Sequence, residues 1–280
     1  MVMVMVIMKM NSFISNNVQN TILKQLSKLN IDNSFFNSVK NSLSPFDNEF
    51  INPIKIDLHS HLLPGIDDGV RSIEESIRLI KEFKNLGFTK LITTPHIISD
   101  SYPNTKEIID TKLSEIRDAI KRENIDIEIY AGAEHYIDMS FLELLEDDNL
   151  VPFYKNYVLF ETSYTSKPII LEKAIFEMKV KGYIPVLAHP ERYRYMHHDI
   201  HEYIKLKELG VLFQINIKSL RNSSGPVYDM LLEIIEHGLA DFVGSDVHRQ
   251  RDIDELKKFL FRKDYKNIFN SNTILNNTLV

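Results

Sequence analysis

The sequence predicts an α/β protein folded as a closed, distorted barrel of seven parallel strands with helices outside, and three observations lead there. Seven short apolar segments alternate with amphipathic helical segments at a spacing of roughly 30 residues, the rhythm of βα units. Six of the seven end in His, Asp or Glu. Only a closed ring brings those ends, first and last included, to one point, whereas an open sheet spreads them over many strand spacings of about 4.8 Å.

The first strand carries Ile56-Asp57-Leu58-His59-Ser60-His61, with polar residues at every second position. Period-two alternation puts Asp57, His59 and His61 on one face and Ile56, Leu58 and Leu62 on the other. Pro64-Gly65 ends the strand, and Asp67-Asp68-Gly69 adds carboxylates in the loop beyond. Ser72-Ile73-Glu74-Glu75 has the form of a capping box, opening a helix that stops at Gly87. Residues 88–94 form the second strand, ending at Pro95-His96; a long helix over 105–123 follows, with Ile108, Ile109, Leu113, Ile116 and Ile120 expected on its buried stripe. The third strand, 127–133, ends at Glu134, and the fourth, 157–160, at Glu161. A helix over 169–181 leads to the fifth strand, 184–188, which ends at His189. Asp199-Ile200-His201-Glu202 repeats the capping form before a helix to Gly210 and the sixth strand, 211–215, whose end is marked by Gln214 and Asn216. A helix over 227–237 precedes the seventh strand, 240–245, which runs into Asp246-Val247-His248.

Ahead of the barrel, residues 1–52 read as an extension rich in Asn and Ser, with one modest helix expected over 17–29; residues 53–280 form the catalytic domain. The apolar start Met1-Val2-Met3-Val4-Met5-Val6-Ile7-Met8 has no basic region ahead of it and no small-residue cleavage pattern behind it, so it does not read as a signal peptide. No stretch approaches the roughly 18 apolar residues of a membrane span, and a cytoplasmic enzyme is expected. The net charge of −6 gives no footprint for nucleic acid. The chain has no cysteine, which excludes thiolate metal sites and cysteine nucleophiles; hydrolysis must then use a metal-bound water, a hydroxyl or a carboxylate.

The candidate donors at the strand ends are His59, His61, Asp67 or Asp68, His96, Glu134, Glu161, His189, Asp246 and His248. So many nitrogen and oxygen donors exceed what one ion needs, and two or three divalent cations are expected, with Mn, Fe or Zn suiting the mixture of imidazole and carboxylate. Met196-His197-His198-Asp199 sits at a helix start and reads as structural, and His135 is expected to point away from the site.

The order His-x-His, His, Glu, Glu, His, Asp-x-His resembles the polymerase and histidinol phosphatase (PHP) superfamily, whose fold is a distorted seven-stranded barrel. Within it, Asp57 to Gly69, Thr94-Pro95-His96, Gly132-Ala133-Glu134, Ala188-His189-Pro190-Glu191-Arg192-Tyr193 and Ser245-Asp246-Val247-His248 resemble the bacterial tyrosine-protein phosphatases of the CpsB/YwqE type, over about residues 54–275. The resemblance implies His59, His61, Asp68, His96, Glu134, Glu161, His189, Asp246 and His248 as metal ligands, with Asp68 rather than Asp67. It also implies Arg192 and Arg251 as catalytic, phosphate-binding arginines, with Arg249 the alternative to Arg251. The implied activity is metal-dependent hydrolysis of protein phosphotyrosine by a metal-activated hydroxide, with Mn the first choice of metal. The implied substrate is a tyrosine kinase of capsule or exopolysaccharide synthesis. The alternatives are a small-molecule phosphomonoesterase such as a histidinol-phosphate phosphatase, or a non-catalytic scaffold that binds a kinase; a nuclease would want a basic groove.

Overall fold

The computed structural model of the chain describes residues 52–280. Of the expected 1–52 extension only Asn52 is among them, and the expected helix over 17–29 lies outside the described residues. Nine strands, all paired in parallel, form one sheet: β1 (Ile56–Ser60), β2 (Lys90–Thr93), β3 (His96–Ile97), β4 (Glu128–Ala131), β5 (Glu134–Tyr136), β6 (Tyr157–Glu161), β7 (Ile184–Ala188), β8 (Leu212–Asn216) and β9 (Phe242–Val247), in the spatial order β3-β5-β6-β7-β8-β9-β1-β2-β4.

The chain itself joins the two edges of this sheet. β2 runs through Thr94 and Pro95 into β3, and β4 through Gly132 and Ala133 into β5. Lys90 faces Glu128 and His96 faces Glu134, an offset of 38 residues on both sides of the break. The Gly132 N–H donates to Thr93 O and the Glu134 N–H to Pro95 O, both at 3.0 Å, so the ladder crosses the interruption. Pro95 has no N–H to contribute there, which is reason enough for the local break. Residues 90–97 and 128–136 are therefore two interrupted strands, and with them the ring closes at seven, as the strand rhythm predicts.

Eight helices occur among the described residues: α1 (Ile73–Asn85), α2 (Lys106–Arg122), α3 (Met139–Glu146), α4 (Leu171–Val180), α5 (Ile200–Glu208), α6 (Pro226–Glu236), α7 (Gln250–Phe259) and α8 (Lys263–Ser271). Ser72 Oγ accepts the Glu75 N–H at 3.2 Å, as the capping box requires, but the Glu75 carboxylate returns to the Arg71 N–H at 3.0 Å rather than to Ser72. Gly87, at φ +85°, then turns the chain from α1 toward β2. α3, α7 and α8 are additions to the expected set.

Ile56, Leu58, Ile92, Leu159, Val186 and Phe242, from β1, β2, β6, β7 and β9, meet inside the ring with Leu279. They form the barrel floor, where each buried aliphatic side chain contributes roughly 2 kcal/mol. The C-terminal segment seals the underside: Asn276 Nδ2 donates to Ile56 O at 3.0 Å and Val243 O at 2.8 Å, and Asn276 Oδ1 accepts the Val243 N–H at 2.9 Å. One expectation is corrected here. Ile56 and Leu58 point into the barrel, and Asp57 points out of it, bonded to Ser245 N (3.1 Å) and Oγ (2.8 Å). The alternation changes phase at His59, whose φ of +79° turns its ring inward above Leu58. No helix among the described residues is long and apolar enough to cross a membrane.

Candidate metal centre

The C-terminal mouth of the barrel gathers histidines and carboxylates by bending the backbone where they stand. His59, His189 and Asp246 all have left-handed φ values, +79°, +33° and +51°. Such conformations cost about 1–3 kcal/mol each and persist where surrounding structure enforces them. At the β1–β9 seam Leu58 faces Gly244 while Ser60 faces Val247, a bulge that gives β9 one extra residue just before and around Asp246. The bulge turns Asp246 toward the rings of the first strand.

Four overlapping donor groups result, each with its donor atoms within 4.8 Å of one another: His61, Asp68, His96 and His248; His59, Glu134 and His189; His59, His61 and Asp246; and His96, Glu134 and Glu161. All nine residues that the sequence analysis put forward are in them, and His59, His61, His96 and Glu134 are each shared between two groups. Glu134 is at the middle, with Oε2 3.1 Å from His59 Nε2 and 3.2 Å from His96 Nδ1, and Oε1 2.9 Å from His189 Nε2. Asp68 stands at the rim, its side chain 50% exposed, 3.3 Å from His248 Nε2 and 3.5 Å from His96 Nε2.

A surrounding set of residues orients these rings. His59 Nδ1 donates to Gln214 Oε1 at 2.6 Å, and His61 Nδ1 to Asp67 Oδ2 at 2.8 Å. Asp67 also accepts the N–H groups of Gly69 (2.9 Å) and His96 (3.2 Å). Of the two loop acids, Asp67 thus holds a histidine while Asp68 faces the cluster. His248 Nδ1 lies 3.0 Å from Asp246 O. A histidine whose far nitrogen is held in this way presents the other nitrogen in a fixed tautomer.

The electrostatics follow from packing four carboxylates and five imidazoles together. Burial disfavours charge on His59, yet the Glu134 and Asp246 carboxylates outweigh it and raise its pKa to about 9. His96 is likewise raised to about 10 against its burial, by Glu134 and Glu161. Burial and the neighbouring His248 lower His61 to about 4. Burial opposes ionisation of Glu134, but His59 and His96 hold it well below the usual carboxylate range; burial and Glu134 together push Glu161 up.

The donor set fits a group of divalent cations. Converging carboxylates demand compensating positive charge. In addition, His61 Nε2 and His189 Nδ1 are buried without a hydrogen-bond partner among the described residues, and His96 Nδ1 lies 3.2 Å from both Glu134 and Glu161 without well-formed hydrogen-bond geometry to either. An unpaired buried polar atom costs about 1–3 kcal/mol, and each of these belongs to a residue of a donor group. The donors are all nitrogen and oxygen, a mixture that suits first-row divalent metals.

The arginines divide. Arg192 stands at the centre, its Nη2 2.8 Å from Asp246 Oδ2. Arg251 does not: it lies on the outer face of α7, 73% exposed and paired with Glu255 at 3.2 Å. Arg249 is also directed outward, 69% exposed and 4.0 Å from Asp252. The cation that does join Arg192 is one the sequence reading missed, Lys218, with Nζ 3.4 Å from Asp246 Oδ2. It follows β8, the one strand of the seven without a donor at its end, and Asn216 on that strand donates to Asp246 Oδ2 at 2.7 Å. The aromatic residues at the mouth were missed as well: Tyr102 stacks on His96 with ring centroids 5.7 Å apart, and Tyr164 meets His189 edge-on at 5.7 Å. His135 is turned away, its Nδ1 donating to Leu159 O and its Nε2 accepting the Val151 N–H, both at 3.2 Å. His197 reaches Glu191 O at 2.9 Å, and neither it nor His198 enters a donor group.

Residues 55–276 match the family model described as capsular polysaccharide synthesis, CpsB/CapC. The tyrosine-protein phosphatase YwqE of Bacillus subtilis (strain 168) is 30% identical over 200 residues, which are 69% of this chain and 77% of that protein. The tyrosine-protein phosphatase CpsB of Streptococcus pneumoniae is 28% identical over 200 residues, 69% of this chain and 82% of that protein. Among solved structures, one from a study of YwqE from Bacillus subtilis and CpsB from Streptococcus pneumoniae, described as metal-dependent tyrosine phosphatases, superposes with a TM-score of 0.66. It is 26% identical, over 78% of this chain and 96% of that one.

Proposed function

The chain belongs to the CpsB/CapC family of capsular polysaccharide synthesis, and we propose that it is a metal-dependent protein-tyrosine phosphatase that hydrolyses phosphotyrosine on a protein substrate. The observation that carries this reading is the overlap of the donor groups: His59, His61, His96 and Glu134 each serve two of them, so neighbouring cations would share a single mouth beside Arg192. We assign the ligand role to His59, His61, Asp68, His96, Glu134, Glu161, His189, Asp246 and His248, holding two or three cations, with Mn first and Fe or Zn as alternatives. Bound there, the cations supply Lewis acidity toward the phosphoryl oxygens and lower the pKa of water to make a nucleophile near neutral pH.

The chain's own residues do the rest. Arg192 offers a planar fork of N–H groups to phosphoryl oxygens that remain free, and Asp246 fixes the orientation of that fork. Tyr102 and Tyr164 border the mouth where an aryl group enters. The leaving phenolate has a conjugate acid of pKa about 10, so its departure asks little of a general acid. The absence of cysteine accords with a reaction that passes through no thiol ester of phosphate. The substrate we favour is a bacterial tyrosine kinase of capsule or exopolysaccharide synthesis, met in the cytoplasm.

The test is phosphate release from a phosphotyrosine peptide and from histidinol phosphate in parallel, on metal-stripped full-length protein with Mn added back. Mn-dependent release from the peptide is expected. Release from histidinol phosphate alone would overturn the reading and place the chain among small-molecule phosphomonoesterases.

A further inference from the structure

Building on the phosphotyrosine reading, we infer that the cleft beyond Arg192 is a second anion-binding subsite, which takes an acidic side chain flanking the phosphotyrosine of the substrate protein. This cleft, of about 410 Å³, is lined by four cationic residues, Arg192, Arg194, Lys218 and Arg221, and by no carboxylate. The chain as a whole has a net charge of −6, so general basicity does not explain the concentration.

The cleft is continuous with the metal centre. Arg192 and Lys218 form its inner end and both reach Asp246, at 2.8 and 3.4 Å. At the outer end Arg194 is exposed and has no ion-pair partner among the described residues. Arg221 pairs with Glu255 through Nε at 2.7 Å and remains 44% exposed. The inner cations are thus partly neutralised by a donor of the centre and Arg221 by Glu255, with Asp252 3.8 Å away, while Arg194 keeps its charge for a ligand.

The loop that presents two of these cations is rigidly held. Lys218 and Arg221 stand on the 3₁₀ turn Ile217–Arg221, whose Ser219 Oγ–H donates to the buried Glu191 Oε1 at 2.7 Å, beside the Asn216 N–H at 3.0 Å. Arg262 Nη1 donates to Leu220 O at 2.7 Å from the other side. Tyr164 and Tyr228 add aromatic surface to the lining, against which a peptide backbone can lie. An extended peptide advances about 3.3 Å per residue, so an Asp or Glu a few residues from the phosphotyrosine reaches the outer cations while the phosphate is at the centre. A carboxylate also matches the guanidinium fork in shape.

The test compares kcat/KM for two phosphotyrosine peptides on the full-length, Mn-loaded protein, one with Glu on both sides of the phosphotyrosine and one with Gln in those places. The wild-type ratio should favour the acidic peptide about tenfold at low salt, falling toward one as ionic strength rises. In Arg194→Glu the ratio should collapse, and because it is a ratio, any general loss of activity cancels. A wild-type ratio near one, or a preference that survives Arg194→Glu, would overturn the subsite while leaving the phosphatase reading intact. Should a variant fail to fold, the wild-type ratio and its salt dependence still decide. No release from either peptide would overturn the phosphatase reading, and this inference with it.

Discussion

Arg192 and Asp246 face each other across the boundary between the metal centre and the substrate cleft, Nη2 to Oδ2 at 2.8 Å. The other carboxylate oxygen, Oδ1, looks inward, 3.2 Å from His248 Nδ1, 3.6 Å from His61 Nε2 and 3.7 Å from His59 Nε2. One side chain therefore serves two sets of partners. Its Oδ2 also takes Asn216 and Lys218, so the cations that would meet a phosphate are positioned by a residue of the metal centre.

Replacing Arg192 should accordingly harm turnover more than metal binding. Arg192→Ala is expected to lower kcat/KM for a phosphotyrosine peptide by about a hundredfold or more, the loss typical of a charged group aimed at a phosphoryl transition state. Arg192→Lys should recover little, since an ammonium cannot reproduce the fork. Metal content after desalting should stay at the wild-type level; a large loss of bound metal would show that Arg192 acts by holding Asp246.

Asp67 is the counterpart on the other side of the site. It binds no substrate in this scheme, and it orients His61 and the His96 backbone. Asp67→Ala should weaken Mn binding about 10- to 100-fold while leaving kcat near wild type once Mn is saturating. A Mn titration of activity separates the two effects, and a fall in kcat that excess Mn does not restore would make Asp67 part of the reacting centre.

What was legible in the sequence was what lies at strand ends. His96, Glu134, Glu161 and His189 each follow an apolar run, and a barrel brings all such ends together whatever the details of its curvature. The phase change at His59 was not legible, because period-two alternation assumes an extended φ throughout and the strain that breaks it arises from the β1–β9 bulge. The broken strands were hidden for a related reason: residues 90–97 read as one segment that stops at a proline, and only pairing shows that it continues. Lys218 carried no pattern of its own. It becomes visible through Asn216, two residues earlier, once β8 is known to lie beside β9.

Arg251 offers a sharper comparison, since the family resemblance implies it as a phosphate-binding arginine. On the exposed face of α7 it makes an i,i+4 pair with Glu255, an interaction worth about 0.3–0.5 kcal/mol. Arg251→Ala should therefore change kcat/KM for a phosphotyrosine peptide by less than about twofold. A loss comparable to that of Arg192→Ala would mean that α7 moves when substrate binds.

His135 makes the acid side of the stability profile testable. Burial lowers its pKa to about 4, and both ring nitrogens are committed while it is neutral. In the unfolded chain the group titrates near 6.5. Between those two values the unfolded state holds a proton that the folded state does not. Stability from this group is therefore complete above about pH 6.5 and is lost as pH falls toward 4, by about 3 kcal/mol in all. A cation at the neighbouring Glu134 acts in the same direction. His135→Gln retains a donor and an acceptor without titrating, so urea melts from pH 7 to 4.5 should show a shallower decline than wild type; parallel declines would assign the acid sensitivity elsewhere.

Gly244 links the backbone seam to the metal centre. A Cβ there would stand 2.3 Å from Gln214 Nε2 and 2.5 Å from Leu58 O. Gln214 could swing aside, but Leu58 O belongs to the paired strand β1 and cannot. Gly244→Ala should thus do two things: strain the seam, at a cost of about 1–3 kcal/mol, and displace the amide that fixes His59 through its Nδ1. Gln214→Ala does only the second. Thermal unfolding of the metal-free proteins should show a larger drop for Gly244→Ala than for Gln214→Ala, whereas Mn titrations should show both weakened, about 10- to 100-fold for the loss of a histidine's outer partner. If Gly244→Ala melts with the wild type, the seam is more pliant than its contacts indicate. If Gln214→Ala binds Mn normally, His59 is oriented by Glu134 and Asp246 alone.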